Sequence, residues 1–262
     1  MHSRIIPGKF MGLAAALAWS LAVHSSHAED ASMADQPDRW LLIFDTSIAM
    51  ERCLPATTTE LQNLFFGNMN GELTAGDSIG VWTFDQKLTM GKFPLVEWQP
   101  QQASETTSSL VTFLDYDRYY GKTHFASITP ALREVIAQSR RLTILLFCDG
   151  RDKLKLTPYD DGINRAFNAV QPKRQKDKVP FVVVIRTQNG HFVGATVNLP
   201  PGKVDLPVFP PLPAPATPRA ATPVASAQQA DNTPAQPSVP PLVIVGTNVI
   251  TNPEEIKKLS GP

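Results

Sequence analysis

The chain has 262 residues, 42% of them hydrophobic, and its 24 Lys+Arg balance 24 Asp+Glu for a formal net charge of +0. Nucleic-acid and anionic-membrane partners usually go with a basic surplus, and this balance supports neither. Two cysteines are too few for a disulfide-built scaffold, so the domain must rest on an apolar core.

Arg4 and Lys9 precede a run from Met11 to Val23 made mostly of Ala, Leu and Trp, and Ser26–His27–Ala28 is a small-x-small cleavage site before Glu29. Residues 1–28 therefore read as a secretory signal peptide. Its apolar core is too short to span a bilayer as a mature helix. The expectation is an exported protein, periplasmic or extracellular, with no stable membrane insertion after cleavage; the alternative is an uncleaved anchor. No cysteine lies near the cleavage point, so no lipid anchor is indicated. In an oxidising compartment Cys53 and Cys148 would bridge if their strands are neighbours. Otherwise Cys148 is buried and Cys53 is separate and free.

After a short polar lead-in from Glu29 to Asp38, the uninterrupted apolar run Trp40 to Phe44 predicts a strand covered on both faces, ending on Asp45. A loop through Arg52, Cys53 and Pro55 leads to a helix carrying Leu61, Leu64 and Phe65, which stops among Gly67, Asn68, Asn70 and Gly71. Ser78 to Phe84 reads as a second strand, and Leu88 to Phe93 as an edge strand closed by Pro94. Ser109 to Leu114 reads as a helix end and Asp115 to His124 as an irregular loop. Thr129–Pro130 then opens a helix with Leu132, Val135 and Ile136 on one face. Thr143 to Cys148 is a second buried strand, and it too ends on an acid, Asp149, followed by Gly150. A helix over Ile163 to Val170, a solvated basic turn at Lys173 to Lys176, and strands at Phe181 to Ile185 and His191 to Val197 complete the pattern. Strands separated by helix-length segments predict an α/β domain over residues 36–199, with a doubly wound, mostly parallel, Rossmann-type sheet flanked by helices.

From Pro200 the composition changes. Residues 200–241 are rich in proline and alanine and read as a disordered, extended linker. The tail, residues 242–262, opens with the β-branched run Leu242 to Val245 and Val249–Ile250, either a docking strand or an unstructured end.

Asp45 and Asp149 at two strand ends, with Thr123 on a loop, place oxygen donors where open α/β sheets hold ligands. Such hard donors suit Mg²⁺ or Mn²⁺ with several waters retained. The bland reading makes each aspartate a turn or cap residue and Thr123 an ordinary loop hydroxyl. Tyr116, Tyr119 and Tyr120 beside the loop are either partner contacts or packed aromatics.

Asp45–Thr46–Ser47–Ile48–Ala49, Gly121–Lys122–Thr123 and Cys148–Asp149–Gly150 stand in the order and context of the von Willebrand factor A (vWA) domain, which the chain resembles over about Asp38 to Leu199. The resemblance implies a central, mostly parallel sheet with flanking helices and a metal-ion-dependent adhesion site. It assigns Ser47 and Thr123 as hydroxyl ligands, with Asp45 and Asp149 acting mainly through bound waters. Ala49 stands where the family's motif has a further serine, and Lys122 and His124 flank Thr123 where an acid usually follows it. A lost hydroxyl weakens a site that wants near-ideal octahedral geometry. Two expectations follow for the pocket: a weak divalent site, or a metal-free one neutralised by Lys122, His124, Arg52 or Arg151.

The functional expectation is a non-enzymatic interaction module that binds a protein partner through its strand-end loops, with Lys122, His124 and Tyr120 as contact residues. An alternative is a scaffold whose proline-rich arm and C-terminal strand do the binding. A phosphate-ester hydrolase of the haloacid dehalogenase type would need a second acid where Ser47 stands. The chain also carries no Gly-rich phosphate loop or nucleophile elbow.

Overall fold

The apolar run that ends on Asp45 forms β1 (Arg39–Asp45). In the computed structural model, which describes residues 37–211, this strand lies between β2 (Ser78–Phe84) and β5 (Arg141–Cys148) and is parallel to both. The leader, the linker after residue 211 and the tail lie outside the described residues. β3 (Leu88–Met90) and β4 (Val96–Glu97) pair antiparallel with β2; β6 (Phe181–Gln188) and β7 (His191–Asn198) extend the other side antiparallel. The sheet order is β3-β2-β1-β5-β6-β7, with β4 also on β2. The class is α/β with a mixed sheet.

Side chains alternate across the sheet with the period of a strand. Trp40, Leu42 and Phe44 enter one core, while Leu41 and Ile43 enter the other. The short α1 (Ile48–Glu51) follows β1, and α2 (Leu54–Phe66) and α3 (Ala103–Tyr116) cover the first face through Leu61, Leu64, Phe65, Leu110 and Leu114. α4 (Thr129–Ala137) and α5 (Asp160–Asp177) cover the second through Leu132, Ile136, Ile163 and Phe167. Burying about ten such side chains at ~1.5–3 kcal/mol each is the main favourable term.

The helix-length segment between β5 and β6 predicts a crossover to a parallel strand, but β6 runs antiparallel. Cys148, the last residue of β5, pairs with Phe181, the first of β6. α5 therefore returns the chain to the sheet edge it left. Its first half packs Ile163 and Phe167 in one core, while Arg174 reaches Cys53 Sγ, in the other, at 3.8 Å. The basic stretch Lys173 to Lys176 is thus helix rather than turn, and Arg174 is buried against the Phe181 ring and the Val179 carbonyl. Cys53 and Cys148 are both free and buried.

Residues 200–211, which composition places in the linker, pack on the domain. Val204 is buried in the first core, Thr196 donates to the Asp205 carbonyl at 2.6 Å, and Asp205 N–H donates to Asn198 Oδ1 at 2.9 Å. Val204 of this strap shares its core with Val182 and Val184 of β6. The strap also partners Arg186, a fully buried arginine of β6, through the Pro207 carbonyl and the Phe209 ring, while Glu72 supplies the counter-charge.

Candidate functional site

β1, β2 and β5 end side by side, and each is followed by an aspartate or ends on one that accepts a backbone N–H two residues on. Asp45 Oδ1 takes Ser47 N–H, Asp85 Oδ1 takes Lys87 N–H and Asp149 Oδ1 takes Arg151 N–H, each at 2.8 Å. A carboxylate turned back on its own loop caps the strand and fixes the next side chain. Gly150 continues the third loop at φ +68°, and a β-carbon there would stand 2.6 Å from the Phe181 ring.

A fourth segment crosses these ends. Tyr120 N–H donates to the Thr46 carbonyl and His124 N–H to the Asp85 carbonyl, both at 3.0 Å, which drapes residues 120–124 over β1 and β2. Thr123 is thereby brought to the centre. Its hydroxyl donates to Asp45 Oδ2 at 2.6 Å and lies 3.2 Å from Ser47 Oγ and 3.3 Å from Asp149 Oδ1. Asp45, Ser47, Thr123 and Asp149 therefore meet around one hydroxyl.

The two carboxylates are almost entirely buried. Burial pushes the Asp45 carboxyl up to about 6, helped by the nearby Asp149 charge and opposed by the bonds from Thr123 and Ser47. The Cys148 thiol beneath them is also driven up, first by burial and then by both acids. The cation that reaches the carboxylates is Arg151, whose Nε lies 3.2 Å from Asp149 Oδ2. This is an ion pair without hydrogen-bond alignment, and Oδ2 is left with no hydrogen-bond donor.

Lys122 lines the same cleft, as do Ile48 and Ala49, but its side chain is exposed and pairs with no carboxylate among the described residues. His124 points outward, with Nδ1 3.9 Å from Asp152. Tyr120 is exposed beside the Thr46 loop and Tyr116 is exposed at the end of α3, whereas Tyr119 packs against the core and burial drives its phenol upward. Of the residues named from sequence for binding, Lys122 thus lines the cleft with an exposed side chain, while Tyr120 and His124 lie outside its lining.

Three residues carry weight that the sequence alone did not assign. Ile48 projects at the cleft mouth with 63% of its surface exposed, an apolar residue in a polar loop. Asp85 anchors the crossing loop, a role hidden in what reads as a plain turn. Asp152 Oδ2 accepts the Phe125 N–H at 2.8 Å and so ties the Thr123 loop to the loop after β5.

The donor set has the chemistry of a hard-cation site: two hydroxyls, two carboxylates, and a buried carboxylate oxygen without a hydrogen-bond donor. Ala49 lines the cleft but contributes no oxygen.

No family model matches the chain, and no curated protein matches it. Among solved structures, the chain is similar to the pilus adhesin SpaC of Lactobacillus rhamnosus GG, at 18% identity and a TM-score of 0.32, over 45% of this chain and 15% of that one. An aerotolerance-related membrane protein of Bacteroides fragilis aligns at 18% identity and a TM-score of 0.31, over 45% of this chain and 57% of that one. A type V pili tip protein of Porphyromonas gingivalis aligns at 11% identity and a TM-score of 0.30, over 52% and 26%. The chain spans less than two thirds of each of these proteins. Among the described residues no helix is long and apolar enough to cross a membrane.

Proposed function

We propose that the protein is an exported, vWA-like, non-enzymatic interaction module that engages a protein partner through the loops at the carboxyl ends of β1 and β5. The observation that carries this reading is the convergence of Asp45, Ser47, Thr123 and Asp149 around the Thr123 hydroxyl, beneath a rim that exposes Ile48 and Tyr120. Exposed apolar and aromatic side chains beside a polar pocket are the usual anchors of a protein contact.

The pocket needs little metal on this reading. Arg151 already offsets Asp149, Thr123 already satisfies Asp45, and Ala49 withholds an oxygen. A Mg²⁺ or Mn²⁺ ion, when bound, would be held by the Ser47 and Thr123 hydroxyls with Asp45 and Asp149, and would supply a positive centre for a partner's oxygen. Partner recovery from the exported fraction tests the function. Wild-type protein should retain a partner that Asp45→Ala loses, and equal recovery by both would remove the pocket from the mechanism.

A further inference from the structure

The neutral chain carries a concentrated cationic tract on one side of its strand-end rim. Beside the cleft that holds Thr123 lies a second one, lined by His124, Thr129, Pro130, Asp152, Lys153 and Lys155. Asp152 is the wall that the two clefts share. Lys122, Lys153 and Lys155 stand exposed along them, and none is in an ion pair among the described residues.

The acids nearby offset this tract only in part. Asp45 and Asp149 are 1% exposed and face the pocket floor. Asp152 is committed to the backbone, accepting the N–H of Phe125 at 2.8 Å and of Lys153 at 2.9 Å. Arg151 is tethered to Asp149. What an approaching molecule meets is therefore three unpaired ammonium groups and one partly exposed carboxylate, Asp152. Across the rim, beyond Tyr120, the charges are mixed with acids in excess: Glu51, Asp115 and Asp117 line the neighbouring depression together with Arg118 and Lys92, and Lys92 pairs with Asp117 at 3.0 Å.

We infer that the tract formed by Lys122, Lys153 and Lys155 receives an acidic segment of the protein partner, by direct charge pairing and without a metal. This rests on the strand-end loops being the binding face. The depression beyond Tyr120, with three acids against two cations, offers the segment no such attraction, and complementary charge of this kind fixes register and raises association rates. A protein segment is favoured over a nucleic acid because the chain as a whole has no basic surplus.

The test uses the full chain and a short fluorescein-labelled peptide of alternating Glu and Ser, read by anisotropy at low salt. Binding should be unchanged by EDTA and weakened by added salt. The triple variant Lys122→Glu, Lys153→Glu, Lys155→Glu, shown folded by circular dichroism, should bind about tenfold or more weaker. A matching Lys–Ser peptide should not bind. Absent binding of the acidic peptide, equal binding by the triple variant, or binding that needs added Mg²⁺ would each overturn the tract. The last would leave the pocket itself standing as a metal-dependent site. Tighter binding of a single-stranded oligonucleotide of equal charge would overturn the assignment to a protein segment. Partner recovery that survives the triple variant but not Asp45→Ala would refute the tract alone, whereas recovery unaffected by either would refute the binding face itself.

Discussion

The Thr123 hydroxyl donates a 2.6 Å hydrogen bond to Asp45, 78 positions earlier in the chain, and that bond closes the pocket. It also opposes the burial that drives the Asp45 carboxyl up to about 6.

A carboxyl raised in the folded state holds a proton that the unfolded chain has already released. Between about pH 4 and pH 6 folding stability therefore falls as pH rises, and the full cost is present above pH ~6. Asp45→Asn removes the charge while keeping an acceptor for Ser47 N–H. Its stability relative to wild type should be more favourable at about pH 7.5 than at about pH 4, by on the order of 3 kcal/mol. Urea denaturation at both pH values reads this directly, and the same difference at both would show that Asp45 titrates normally.

If Arg151 and Ala49 limit metal binding, relieving both should restore it. The double variant Ala49→Ser, Arg151→Ala supplies a hydroxyl and removes the competing cation. Calorimetry should show Mn²⁺ affinity raised by about tenfold or more over wild type, because the added ligand and the lost repulsion act together. Titration curves that superimpose would remove the metal from consideration.

The strap makes the position of a truncation decisive. A chain ending at residue 211 should match the full chain in urea. One ending at Leu199 strands the buried Arg186 with only Glu72 and uncovers the Val204 site. The expected loss is about 3–5 kcal/mol, the range for breaking a buried charged contact. Equal midpoints for the two truncations would mean that the strap contributes nothing.

Two glycines with similar backbone should respond very differently to alanine. Gly91 has φ +76° and nothing within 4 Å of its added β-carbon, so only the left-handed conformation costs, about 1–2 kcal/mol. Gly150 adds contacts of 2.6 Å with Phe181 and 3.0 Å with Phe167, and Gly150→Ala should lose about 3 kcal/mol or more, shifting Asp149 as it does so. Thermal or urea unfolding of the pair checks it; similar losses would mean the aromatic pair yields easily.

Much of the fold is written locally. Trp40 to Phe44 and Thr143 to Cys148 are continuous apolar runs, and only a strand with both faces covered uses every such residue. Their terminal aspartates, and the small residues after them, mark a ligand-type edge by position alone. Strand alternation then decides which side chains share a core, before any contact is known.

What tertiary structure alone decided is where charge and chain direction end up. A helix between two strands reads the same whether it carries the chain back along the sheet or across its end; the pairing of Cys148 with Phe181 makes β6 antiparallel. Pro200 to Pro211 has the composition of a spacer, yet Val204 in the core, Thr196 on the Asp205 carbonyl and the buried Arg186 on Pro207 and Phe209 hold it in place. Arg52, Lys122, His124 and Arg151 are equivalent cations in sequence. Only Arg151 reaches the carboxylates, because its own N–H is already bound to Asp149 and turns the side chain back onto that acid. Short-range pattern determines which residues are buried, and long-range geometry determines which buried group meets which partner.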